Sequence, residues 1–291
     1  VTHDGKYHAD DVFACAVLVM TLEKQGKRGI ITRTRDMSII DKADYVIDVG
    51  TIYDPVKGRF DHHQPEGAGA RENKIPYASF GILWKEFGMG LCENKELVNL
   101  IDTELVQGID ASDNGIEVYT KNFEEVGVYT IGNFFESFRG TWKETITDDE
   151  AFFQALAVAR RCLERKIKKE QARREASELV EKYYQESPDK RLIYLEKYVP
   201  WSDVITKYPE PLFVVSQDVS HDNWILQTVR NKETSFINRK DMPAVWAGLR
   251  NQELANITGV PDALFCHKGL WIASAKTKEG IMRLATIALN N

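Results

Sequence analysis

The sequence predicts an α/β protein: an N-terminal parallel or mixed sheet flanked by helices, then a second, α+β domain joined by a long helix. Three observations carry this. Helical and β patterns alternate over the first hundred or so residues, one amphipathic stretch runs from about Thr147 to Glu186, and short apolar β runs then lead to a closing helix. The 291 residues exceed a typical domain of about 100–200, so two domains are expected, 1–146 and 147–291.

Taken in order, a helix is expected from Asp10 to Lys24, a strand from Gly29 to Thr34, and an apolar β run from Asp44 to Val49 that ends at Gly50. Another β segment, Lys57 to His62, follows the turn Tyr53-Asp54-Pro55, and helices are expected at Tyr77 to Phe87 and Lys95 to Ile109. In the long stretch Phe152, Leu156, Ala159, Leu163 and Ile167, then Ala172, Ala176, Leu179 and Tyr183, recur every three or four residues, the spacing of one long amphipathic helix or two in succession. Its middle is rich in Arg and Lys from Arg160 to Arg174, read first as a solvated face and second as a phosphate-attracting one. Beyond the Ser187-Pro188-Asp189 turn come strands at Arg191 to Leu195, Leu212 to Ser216, Trp224 to Arg230 and Ala263 to His267, and a helix from Thr277 to Leu289.

Composition narrows the function classes. A hydrophobic fraction of 43% with 28% charged residues supplies a core and excludes a disordered or collagen-like chain. The longest clean apolar run, Val12 to Met20, is far short of the about 20 residues a membrane span needs, so no membrane partner is expected. Scattered Cys15, Cys92, Cys162 and Cys266 form no metal or redox pair and fit a reducing compartment. The expected location is intracellular, cytoplasmic if bacterial and nuclear or mitochondrial if eukaryotic. Because residue 1 is Val, a trimmed or processed start could hide a targeting segment. The net charge of −6 argues against an all-over nucleic-acid coating but permits a local basic groove.

Four of the six histidines fall in the first 63 residues, as His3, His8, His62 and His63. With Asp10, Asp48, Asp61, Asp110 and Asp113 they sit at strand or helix ends, where open α/β folds build their sites. Each alone reads as a cap or turn residue. Together, neutral imidazoles and several carboxylates suit two divalent ions, Mn²⁺ or Mg²⁺, able to clamp the attacking and leaving oxygens of a phosphoryl transfer. No Gly-x-x-x-x-Gly-Lys, Gly-x-Gly-x-x-Gly or Gly-x-Ser-x-Gly is present, which argues against nucleoside triphosphates, dinucleotides and a serine nucleophile.

These residues resemble the DHH phosphoesterase superfamily, whose Asp-His-His stands here as Asp61-His62-His63. Thr2 to Asp11, Arg33-Thr34-Arg35-Asp36, Asp48-Val49-Gly50, Arg59 to Gln64, Ser235 to Lys240, Trp246 to Arg250 and Phe265 to Gly269 are similar to the Myg exonuclease family, and the likeness spans nearly the whole chain. The resemblance implies a DHH-type catalytic domain whose cleft is closed by the second domain. It also implies one ion held by His3, His8 and Asp48, a second by Asp10, His62, Asp113 or Asp110, and the shared Asp48. Ser112 before Asp113 favours Asp113 of that pair. His63 would face the scissile phosphate, oriented by Asp61. The implied activity is 3′ to 5′ exonucleolysis of RNA, with single-stranded RNA as partner; a small-molecule phosphohydrolase acting on pyrophosphate, polyphosphate or a cyclic dinucleotide is the alternative.

In the second domain Arg239 is expected to anchor a phosphate, with Asn238, Lys240, Arg250 and His267 near the substrate, while Trp246 reads as core. Three departures from the family pattern stand out. Thr51 replaces an expected glycine, Ala273-Ser274 replaces a glycine pair, and Asp11 replaces Glu.

Overall fold

A computed structural model describes residues 1–218, 220–232 and 235–291. By their contacts these divide into two compact units, Val1–Glu170 and Gln171–Asn291. The division falls inside the long helix rather than ahead of it at 146/147. The reason is packing: Phe152, Ala155, Ala159, Leu163 and Ile167 join the core of the first unit, whereas Val180 and Tyr184 join a core of the second.

In the first unit, α1 (Ala9–Lys24) opens with Asp10 and Asp11, carboxylates at the positive end of the helix dipole. It is buried on almost every side from Ala9 to Leu18 and is the central element of the core. There follow a short helix α2 (Met37–Ile40) and three two-residue strands, β1 (Val46–Ile47), β2 (Tyr53–Asp54) and β3 (Arg59–Phe60). The sheet is mixed: β1 runs parallel to β3, and β2 antiparallel to it. Thr2 bridges in parallel to both Arg33 and Ile47, which lays the N-terminus along the same sheet.

The strand expected at Gly29 to Thr34 is reduced to that bridge at Arg33. Its first residues, Gly29 and the 89% exposed Ile30, have no buried face to hold a longer ladder, and the only bridge formed is that of Arg33 to Thr2 among the described residues.

Helix α3 (Ser79–Cys92) packs on α1. The helix expected from Lys95 continues as α4 (Lys95–Ile101), a π-helical stretch at Asp102–Val106, and α5 (Gln107–Asp113). A short α6 (Ile131–Glu136) precedes the long α7 (Asp148–Glu186). The basic stretch of α7 is largely paired, Arg160 with Glu23 and Glu164, Lys166 with Glu104, and Arg174 with Glu178, in keeping with a solvated face.

The second unit holds β4 (Leu192–Tyr194), α8 (Ser202–Ile205), β5 (Phe213–Asp218), β6 (Asn223–Thr228), α9 (Asn251–Thr258), β7 (Ala263–Cys266), β8 (Ile272–Ala275) and α10 (Lys278–Asn290). The sheet order is β4-β5-β6-β8-β7, parallel only between β4 and β5. One sheet face, with Phe213, Val215, Leu226, Ala273 and Ala275, is buried together with residues of α9 and α10. Trp246 is in this core, as expected. No helix among the described residues is long and apolar enough to cross a membrane.

Candidate metal centre

The site is built where α1, β1, β3 and α5 end or begin. His3 lies on the loop ahead of α1, and His8 is the residue before its first turn. Two arginines of the Arg33-Thr34-Arg35-Asp36 segment brace that loop: Arg33 donates to the Gly5 carbonyl at 2.6 Å and Arg35 to the Asp4 carbonyl at 2.6 Å. The His8 amide donates to Asp11 Oδ1 at 2.8 Å, closing the helix start. His3 Nδ1 is 3.0 Å from the Asp4 carbonyl, which as acceptor fixes the tautomer and leaves Nε2 free. That Nε2 points at Asp11 Oδ2, 3.2 Å away, and Asp48 Oδ2, 3.4 Å away.

Asp48 follows β1 with φ 57, the left-handed region that Asp tolerates better than most residues. Its Oδ1 receives Ser79 Oγ at 3.1 Å and lies 3.2 Å from His62 Nε2 and 3.5 Å from His63 Nδ1. Thr51, at φ 54, also occupies a conformation that favours glycine, so the glycine expected at this position would have a backbone reason. The Thr51 amide donates to Asp61 Oδ2 at 2.6 Å.

Asp61 is buried and organises the turn after β3. Its Oδ1 accepts the His62 amide at 2.7 Å, the His63 amide at 3.1 Å and His63 Nδ1 at 2.8 Å. His63 is thereby oriented through Nδ1, while its side chain stays 55% exposed.

Asp10 and Asp110 have a second task that the sequence does not advertise. The N-cap of α3 is Ala78, which has no capping side chain, so the helix's first amides need acceptors from elsewhere. Asp10 takes the Ser79 and Phe80 amides at 3.0 and 2.7 Å, and Asp110 takes the Gly81 amide at 3.0 Å. Asp110 is otherwise committed to Arg71, whose Nη1 is 2.7 Å from Oδ2, and Arg71 also holds Asp102. Asp110 is therefore corrected from the candidate ligand set. Asp113, one turn on, lies 3.2 Å from His62 Nε2 and 3.9 Å from His8 Nδ1.

Three groups of donor atoms result, each within 4.8 Å of one another: His3, His8 and Asp48; Asp48, His62 and His63; and Asp10, His62 and Asp113. Electrostatics shows what they lack. Burial raises the Asp10 carboxyl well above the ordinary carboxylate value, and negative Asp48 and Asp113 raise it further. Burial works to raise Asp48 as well, but the facing imidazoles of His3 and His62 hold it below the usual range. Burial alone would lower His3; Asp11 and Asp48 override it and push the imidazole up to about 10. Asp113 and Asp48 do the same for His62, again to about 10.

Among the described residues no Lys or Arg pairs with Asp10, Asp11, Asp48 or Asp113, and buried His62 Nε2 makes no well-formed hydrogen bond. Carboxylates facing imidazole nitrogens with no Lys or Arg among them form a donor set suited to divalent cations. Two residues outside the expected ligand set also shape the site, Asp11 beside His3 and Ser79 on Asp48. Asp11, two residues before the end of the His8-Ala9-Asp10-Asp11-Val12-Phe13 run, was visible as a carboxylate; Ser79 carried no signal.

The expected substrate residues of the second unit are differently employed. Arg239 donates to the carbonyls of Thr206 at 2.8 Å, Pro211 at 3.0 Å and Tyr208, so its guanidinium ties a loop together and is corrected from the role of phosphate anchor. Asn238 accepts from Thr228 Oγ1 at 2.8 Å and donates to Asp241 at 2.7 Å. Lys240 donates to the Leu289 carbonyl at 2.9 Å near the end of α10. Arg250 stacks on Phe265, 4.6 Å from the ring centroid. His267 Nδ1 accepts the Gly269 amide at 3.0 Å, and its ring packs 5.0 Å from that of Trp271.

Comparison with known proteins places the chain. The MYG1 exonuclease family model, described as an uncharacterised protein family, UPF0160, matches residues 1–289. A MYG1 protein of Chlamydia pneumoniae is 31% identical over 300 residues, covering 100% of this chain and 96% of that protein. A Homo sapiens protein named MYG1 exonuclease is 27% identical over 320 residues, covering 99% of this chain and 85% of its own length. Among solved structures, the pGpG-specific phosphodiesterase PggH of Vibrio cholerae aligns with 100% of this chain and 98% of its own at 13% identity and a TM-score of 0.31. With a family model matched from the first residue to the last helix, the chain belongs to the MYG1 exonuclease family.

Proposed function

We propose that the protein is a metal-dependent phosphodiesterase, a 3′ to 5′ exonuclease of single-stranded RNA working through a two-metal centre. The observation that carries the reading is the shared carboxylate: Asp48 belongs both to the donor group with His3 and His8 and to the one with His62 and His63. A carboxylate common to two adjacent donor groups is what a bridged pair of ions requires. His3, His8 and Asp48 would hold one ion, and Asp10, His62, Asp113 and Asp48 the other, with Mn²⁺ or Mg²⁺ suited to this oxygen-rich set.

When bound, such ions would polarise the phosphoryl oxygens and lower the pKa of water. The rest falls to the chain. Ser79, Asp4 and the α3 amides hold Asp48, His3 and Asp10 at fixed orientation, so little reorganisation is needed at reaction. His63 donates through Nδ1 to Asp61 and keeps Nε2 for the substrate. From there it can hydrogen-bond a non-bridging phosphate oxygen or give a proton to the leaving oxygen, a contribution of roughly 10²- to 10⁴-fold. That the human relative is named an exonuclease supports a nucleic-acid substrate.

The test is a substrate panel with Mn²⁺: single-stranded RNA and DNA labelled at either end, and pyrophosphate with phosphate release as readout. Stepwise shortening of RNA from the 3′ end is expected. Phosphate release from pyrophosphate with both nucleic acids untouched would overturn the reading.

A further inference from the structure

Beyond the metal centre, we propose that a small cavity in the second unit is a nucleobase pocket, holding one base of the nucleic acid on which the exonuclease reading rests. The cavity, about 280 Å³, is lined by Tyr198, Trp201, Gln227, Arg230, Asn238 and Trp271 among others. Its volume lies just below the about 300–1,000 Å³ typical of small-ligand sites, room for one nucleotide unit and not for a helix.

Three features point to a base. Tyr198 and Trp271 are 53% and 41% exposed on the same cavity, where apolar rings cost hydration unless a flat partner covers them. Bases stack on such rings with little regard to sequence. Second, polar atoms without partners gather on one face of the sheet. Directly paired strand residues share a face, so Ser216, Ile225 and Ser274 form one row and Val214, Gln227 and Ile272 the next, with Asn223 on the same side of β6. Ser216 Oγ, Asn223 Oδ1 and Gln227 Oε1 are all buried and lack hydrogen bonds, and Ser216 is fully inaccessible. Leaving such groups unsatisfied is costly, and a ligand edge bearing N–H donors would satisfy the one at the cavity wall.

Third, several neighbouring polar groups are already occupied, whereas Gln227 is the lining residue with a buried, unpartnered oxygen among the described residues. Thr228, Asn238 and Asp241 form a closed chain of hydrogen bonds, and Asp203 is held by Arg173. Arg230 sits over the Phe236 ring, 5.0 Å from its centroid, and makes no ion pair among the described residues, so a cation is at hand for the attached phosphate. His267 then acts as a positioning residue: it holds the 267–271 turn and packs against Trp271.

The experiment is calorimetric titration of the full chain, in chelator, with AMP and with ribose 5-phosphate, so that binding is read without turnover. AMP should bind and ribose 5-phosphate should bind at least tenfold more weakly. Trp271→Ala should weaken AMP about 5- to 150-fold, the range for loss of one base–aromatic stack, Trp271→Phe should restore most of it, and Gln227→Leu should weaken AMP about tenfold. Equal binding of the two ligands, no AMP binding, or AMP binding indifferent to both Trp271→Ala and Gln227→Leu would each overturn the assignment. Because these readings need no metal and no cleavage, AMP binding with the expected variant response supports the pocket even if RNA is not degraded, and its absence overturns the pocket even if RNA is.

Discussion

Gly81→Ala should destabilise the protein although it adds a better helix former. In an open helix the change gains about 1 kcal/mol. Here the new Cβ would lie 1.9 Å from Asp110 Oδ2 and 2.8 Å from both Asp110 Cγ and Arg71 Nη2. The carboxylate has no room to swing away, since it is fully buried with Oδ1 on the Gly81 amide at 3.0 Å and Oδ2 on Arg71 at 2.7 Å. Either α3 shifts, an overpacking cost of about 1–3 kcal/mol, or the buried ion pair opens, about 3–5 kcal/mol. Subtracting the propensity gain leaves a net loss of about 0–4 kcal/mol, which is about 1–5 kcal/mol below an open helix position that keeps the gain. Urea unfolding followed by tryptophan fluorescence measures it, with Gly90→Ala as control because nothing lies within 4 Å of that Cβ. Gly81→Ala as stable as Gly90→Ala would refute the account of how Asp110 is held.

Three further outcomes are expected. His63→Ala should lower turnover by about 10²- to 10⁴-fold and spare Mn²⁺ affinity; equal loss of both in a calorimetric titration would make His63 a ligand. Arg239→Ala should lower stability by about 1–3 kcal/mol through lost bonds to the Thr206, Tyr208 and Pro211 carbonyls, so a kinetic defect in a variant that melts like wild type would restore Arg239 as a substrate contact. In chelator, His3 and His62 carry folded values of about 10 against an ordinary 6.5. Values raised on folding give a stabilisation complete below about pH 6.5 and lost as the pH climbs through about 10, so urea midpoints should fall across that window, and a flat or rising trend would contradict the pairing with Asp11, Asp48 and Asp113.

Much of the fold was legible because periodicity survives in single sequences. The long helix was expected from Thr147 to Glu186 and runs Asp148–Glu186, and α1 begins within one residue of its expected start. What escaped has identifiable causes. Strand β8, Ile-Ala-Ser-Ala, has after Ile272 only small side chains with little β preference, and it is held by pairing with β6 and β7 on its two sides. Gly29 to Thr34 had strand composition without a neighbour to pair with beyond Thr2.

The candidate site divides in the same way. His3, His8, Asp48 and His62 could be picked out because imidazole and carboxylate at successive element ends are a chemical pattern. Ser79 and Gly81 could not, since their roles arise only where α3 starts against Asp10 and Asp110. Nor could the fate of Arg239 be read from its neighbours, because its acceptors are backbone carbonyls some thirty residues away. Donors of that kind have no residue-type signature.

The central claim is that Asp48 joins two donor groups into one hydrolytic centre, and the most direct measurement is the rate at which Asp48→Asn degrades end-labelled single-stranded RNA at saturating Mn²⁺, with thermal melting to verify the fold. The account predicts a folded protein without measurable turnover. A folded Asp48→Asn protein that cleaves at the wild-type rate would contradict it.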